Sequence, residues 1–205
     1  MNTRRKANIL FCLLAICFTS ALADSPLTSI DLHKAYSNLP YFASLKTKDA
    51  YDYLSNEENP IEYRLAVICK DGWDIDGKNR ADGFKSYLKS KYNADETDYM
   101  DKVPGKTLVC LAYMKALDDY FNVNEALKIA EYAVSKEPES YSVLIIDAMI
   151  KAQIALHEGR QNWSNVYKAT NDIRQIERFL NMDMSRAAIN IIFKYMDIYA
   201  HYYYK

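Results

Sequence analysis

"NEALKIAEYAVSKEPES", residues Asn124–Ser140, decides the fold. Its apolar residues, Ala126, Leu127, Ile129, Ala130, Ala133 and Val134, recur at three- and four-residue steps, the period of one buried helical face. Asn122 with Glu125 offers an N-terminal capping box, and Pro138 closes the far end. Working outward, "RADGFKSYLKSKY" (80–92) lies over this helix with a shift of 45 residues: Ala81 falls on Ala126, Phe84 on Ile129, Tyr87 on Tyr132, Ser90 on Ser135 and Lys91 on Lys136. Leu65-Ala66 falls on Leu111-Ala112 in the same way, with a shift of 46. A further pair, 140–157 and 163–180, has similar dimensions.

Helical periodicity runs through almost the whole chain, and no segment alternates like a strand between hairpin signals. The pattern predicts helices near 29–37, 47–55, 60–71, 79–92, 105–121, 123–136, 140–157, 163–180 and 184–203, with 93–104 as the main polar linker. Asn59-Pro60 followed by Glu62 gives a cap, a first-turn proline and a capping-box acid together. The expected fold is all-α: stacked antiparallel helical hairpins in a short array, each unit burying its apolar face against the next. Residues 24–58 form an N-terminal helical segment and 59–205 the hairpin domain, and the two can also pack as one.

Ala126, Ala130, Ala133 and Pro138 stand where small residues and a proline stand in the second helix of a tetratricopeptide repeat, which this stretch resembles. Small side chains there let neighbouring helices approach closely. The preceding helix departs from that pattern, with Cys110 in place of the common Trp and Met114 in place of Gly or Ala. The repeat length also exceeds the family's, which is about 34 residues. The resemblance implies a superhelical scaffold that binds a protein or peptide.

At the N-terminus, Arg4, Arg5 and Lys6 precede an apolar run from Ile9 to Phe18 and the small-residue site Ala21-Leu22-Ala23, the pattern of a secretory signal peptide (1–23) cleaved after Ala23. An exported protein, periplasmic or secreted, is therefore expected. Leu14-Ala15-Ile16-Cys17 resembles a lipid-attachment site, but bulky Ile16 occupies the position of a small residue. The formal net charge is −1, and loss of the basic leader makes the remainder more acidic. With no basic block, nucleic acid is a poor partner.

Cys69 and Cys110 are the cysteines beyond the leader. In an oxidising compartment they are candidates for a disulfide; the alternative is two separately buried thiols.

The stretch most like chemistry is "KDGWDIDGKNRADG" (70–83). Placing Asp74, Asp76 and Gly77 at the third, fifth and sixth positions of a calcium loop leaves glycines, Gly72 and Gly83, at both end-ligand positions. A helix-to-helix joint explains more: Gly72 as a left-handed helix end, Asp76-Gly77 as a turn, Asn79 as the next cap, and Trp73 as an apolar plug with Ile75 beside it. No metal or other cofactor is expected; the alternative is a calcium ion held by Asp74 and Asp76 with backbone carbonyls. His33, His157 and His201 are scattered, and no nucleophile motif or phosphate-cradling glycine loop is present.

Tyrosine is the anomaly, 18 against 7 Phe and 2 Trp. Tyr63, Tyr87, Tyr113, Tyr132 and Tyr167 fall near apolar stripes. On the last helix Ile191, Ile192, Tyr195, Ile198, Tyr199 and Tyr202 form a stripe expected to pack on the preceding helix, while Tyr203 and Tyr204 point elsewhere. Tyr195, Tyr199 and Tyr203 are the candidate partner surface, since Tyr is favoured at interfaces. The function expected is non-enzymatic protein or peptide binding in the cell envelope. The alternatives are an inhibitor or immunity protein for an envelope-acting toxin, and a glycan or cell-wall hydrolase using Asp and Glu.

Overall fold

The computed structural model describes residues 24–204, so the leader and Cys17 lie outside the described residues. Within them the chain is all-helical. The helices are α1 (Lys48–Leu54), α2 (Ile61–Asp71), α3 (Ala81–Lys91), α4 (Tyr99–Lys102), α5 (Gly105–Asp118), α6 (Asn124–Lys136), α7 (Tyr141–His157), α8 (Trp163–Ile176), α9 (Arg186–Met196) and α10 (Ala200–Tyr203). Short 3-10 turns at Leu32–Ala35, Arg160–Asn162, Glu177–Phe179 and Asp197–Tyr199 join them. Among the described residues no helix is long and apolar enough to cross a membrane.

α5 and α7 form the centre, with most of their side chains buried; α5 lies against α2, α3, α6 and α7. α5 with α6, and α7 with α8, form antiparallel hairpins. Gly105 at the start of α5 lies so close to the end of α6 that an added Cβ would meet Glu137 Cγ at 2.5 Å and Lys136 Cβ at 3.0 Å. Ala126, Ala130 and Ala133 are fully buried, so α6 packs through the small residues that mark it in the sequence.

α2 and α3 differ from the expected first hairpin. Both lie on α5 rather than closely along each other. The reason is a buried charge cluster at the end of α5. The Asp118 carboxylate accepts hydrogen bonds from the backbone amides of Arg80 and Ala81, the latter at 2.7 Å, and a charge-assisted bond from Arg80 Nε at 2.7 Å. Arg80 Nη1 also pairs with Asp71, the last residue of α2. The cap of α3 thus comes from Asp118 across the fold, and Asn79 makes no side-chain cap. An orphan helix N-terminus accepts a carboxylate from any distance in sequence, because its amides and dipole ask only for negative charge.

Two other expected caps also differ. α6 has Val123 at its N-cap with no side-chain bond, so the Asn122–Glu125 box does not form. Pro60 itself takes the N-cap of α2. Glu62 turns instead to distant partners, accepting from Tyr36 Oη at 2.8 Å and from the Ser185 amide at 2.6 Å. That carboxylate joins the N-terminal segment and α2 to the start of α9. Leu27, Ile30 and Leu32 accordingly belong to the same core as Leu108, Ile145 and Ile192. The polar linker 93–104 contains a helical turn, α4, whose terminal carbonyls at Met100, Asp101 and Val103 accept from Lys136 Nζ at 2.6–2.8 Å.

Replacing Asp118 by Ala leaves buried Arg80 with Asp71 alone and α3 uncapped, a loss of about 3–5 kcal/mol. Urea denaturation should show a lowered midpoint, and a cost below about 1 kcal/mol, the worth of a surface pair, would contradict the role assigned to Asp118. Gly83 is explained by Tyr51: a Cβ there would collide with the Tyr51 hydroxyl. Gly83→Ala should therefore destabilise the wild type by about 1–3 kcal/mol through overpacking. In a Tyr51→Phe background the same change should be near neutral or stabilising, since Ala exceeds Gly in helix propensity by about 1 kcal/mol. A double-mutant cycle with no coupling would refute the contact.

Candidate functional site

The joint between α2 and α3 folds as a sequence of turns. Gly72, at φ 69°, ends α2 with its amide bonded to the Ile68 carbonyl. Asp74 Oδ1 accepts from the Asp76 amide at 3.1 Å, and the Gly77 amide donates to the Asp74 carbonyl at 3.0 Å. Gly77 has φ 77°, and a Cβ on it would lie 2.9 Å from the Asp118 carbonyl oxygen, so this turn needs glycine for conformation and for clearance. Lys78 reaches back to the carbonyl and carboxylate of Asp71.

Opposite stands the turn from α5 to α6. Asp119 Oδ1 accepts from the Asn122 amide at 3.1 Å, and Gln153 of α7 donates to the Tyr120 carbonyl at 3.0 Å, which fixes the turn to the core. Trp73 meets Tyr120 edge-on at 5.0 Å between ring centroids, the plug expected of it. Ile75 is not a second plug; it is 61% exposed. Phe121 is 51% exposed and stacks between Tyr120 and His157.

Between these walls lies an open groove of about 920 Å³, lined among others by Asp74, Ile75, Asp76, Asp119, Phe121 and Glu125. Lys115 in its wall bridges Asp82 and Glu125 at 3.0 and 3.2 Å. Burial alone would lower its pKa, but those hydrogen bonds outweigh the burial and raise it. The groove therefore combines fixed backbone, carboxylates and two uncovered apolar side chains. Among the described residues no group of three or more His, Cys, Asp or Glu is placed to hold a metal ion.

The tyrosines proposed for the surface are mostly inside. Tyr195 and Tyr199 are 9% and 7% exposed, with their hydroxyls 3.2 Å apart, and Tyr199 meets Trp163 edge-on. Tyr203 is 39% exposed but lies, with Tyr204, against the ring of Tyr167 on α8. The stripe serves helix packing, because α8 brings Trp163 and Tyr167 to meet it. Only Tyr203 of the three presents area to a partner.

Cys69 and Cys110 are both free and buried, which corrects the disulfide candidate. The Cys69 thiol faces the N-terminal segment, 3.4 Å from the Ile30 carbonyl and 3.4 Å from His33 Nδ1. Cys110 lies about one turn along α5 from Thr107, whose hydroxyl bonds Arg64 and Glu57. The His33–Cys69 neighbourhood carries no spacing signal in the sequence. Burial pushes both thiols up to about 11 and lowers His33, so Cys69 remains a neutral thiol rather than an activated nucleophile. Comparison of the chain with protein-family models, curated proteins and solved structures finds no match.

In the chain from Asp24 onward, an aromatic disulfide reagent should label neither thiol in the folded state and both after denaturation, with no mass change on reduction. Rapid labelling of the folded protein, or fewer thiols than Cys69 and Cys110 supply, would contradict their assignment.

Proposed function

We propose that this chain is an exported, non-enzymatic helical-hairpin protein, built in the manner of a tetratricopeptide scaffold, that binds a protein or peptide of the cell envelope. The observation that carries the reading is the open groove with Ile75 and Phe121 uncovered on its two sides. Large apolar side chains on fixed backbone supply contact area at small ordering cost, and grooves between repeat units are where helical scaffolds dock extended segments. The leader pattern at 1–23 supports export, and the small-residue face of α6 supports the scaffold. The contact residues assigned are Ile75 and Phe121, with Tyr203 lying outside the groove.

Photocrosslinking from position 121 in envelope preparations tests the reading. A discrete crosslinked polypeptide is expected, lost on Ile75→Asp and retained on Tyr203→Ala, with the melting temperature unchanged by Ile75→Asp. Crosslinking equally well from an exposed position outside the groove lining, such as Lys168 on α8, would sink it.

A further inference from the structure

Resting on that reading, we infer that the groove selects a cationic segment: lysine or arginine side chains placed against Asp74, Asp76 and Asp119, with an apolar side chain seated between Ile75 and Phe121. The charges are what distinguish this groove from an ordinary wet surface. Its lining carries five carboxylates against two lysines. Lys78 is held by Asp71 outside the lining, and Lys115 is shared between Asp82 and Glu125. Asp118 is committed to Arg80. Asp74, Asp76 and Asp119 are left without an ion-pair partner among the described residues, each on a turn that fixes its position.

A second feature points to an incoming polar group. Tyr120, 1% exposed, belongs to the same wall, and its hydroxyl has no hydrogen-bond partner among the described residues. A buried hydroxyl without a partner is unfavourable, so a ligand carbonyl or amide that reaches it as the wall yields gains an interaction the free protein lacks. The occupant that meets all three demands is an extended peptide, whose backbone serves Tyr120, whose cationic side chains serve the carboxylates and whose apolar side chain covers the gap between Ile75 and Phe121. A small cation satisfies only the first of these demands on charge. Surface carboxylates of this kind set partner choice and association rate more than bulk affinity, and their contribution falls with added salt.

The test is an array of short peptides of randomised sequence, probed with the full chain and with its Ile75→Asp/Phe121→Ala variant, followed by titration of the best binders. Enrichment of Lys or Arg next to an apolar residue is expected, with affinity falling about tenfold on Asp74→Asn/Asp76→Asn and on replacing the peptide's cations by Ser. Binding should also weaken with added salt while the melting temperature of the Asp74→Asn/Asp76→Asn variant stays at the wild-type value. A bound set without cationic enrichment, lost in the Ile75→Asp/Phe121→Ala variant, would overturn this inference and leave the peptide-binding reading standing. No binding above that variant would overturn both, as would tighter binding of a neutral oligosaccharide in a parallel titration.

Discussion

The Asp118 carboxylate fixes the point at which three helices of the chain meet. It is the last residue of α5, where the helix dipole disfavours negative charge, by about 0.3–1 kcal/mol at an exposed end. What offsets this is the orphan amide end of α3 and the buried guanidinium of Arg80, both on the same carboxylate. Arg80 in turn bonds Asp71, so the end of α2, the start of α3 and the end of α5 are fixed by one chain of charges. Such a cluster gives direction rather than bulk stability, because taking ions out of water consumes much of what their attraction supplies. Its contribution is geometric: it places the 72–79 joint beside the α5–α6 turn, and the groove is the space left between them.

Two more carboxylates extend the same logic. Glu62 gathers Tyr36 and the Ser185 amide, closing the N-terminal segment onto α9. Asp183 accepts from the Ser140 hydroxyl at 2.6 Å and the Ser142 amide at 2.8 Å, holding the start of α7 to the segment before α9. In each case an acid on one element satisfies the amide end of another. The apolar faces choose which helices touch, and these acids choose where along their length they do so.

Most of the helices were legible in the sequence, because a 3.6-residue apolar period is written in consecutive residues: α6 and α7 lie within one residue of their expected bounds. What was not legible was every interaction between residues far apart. Asn79 has the chemistry of a cap and lies one residue before Arg80, yet Asp118 performs the capping from 38 positions away. Tyr195 and Tyr199 lie on the stripe expected to pack on the preceding helix, and Trp163 meets Tyr199 there; what the sequence does not say is how completely that packing covers them. Of the groove, Asp74, Asp76 and Ile75 were singled out from the acid-rich stretch, but as metal or plug candidates; Phe121 carried no signal, because exposure of a single apolar residue at a turn depends on what packs over it.

The central claim is that the Asp118 carboxylate pins the start of α3 as firmly as the core is held. Amide hydrogen exchange at Ala81, read site by site, tests it most directly. Although Ala81 is the first residue of α3, where amides ordinarily fray, its opening free energy should match that of amides in the middle of α5, such as Ala112 and Tyr113. Exchange at Ala81 as fast as at the amides of the exposed loop residues Asp74 and Ile75 would contradict the claim.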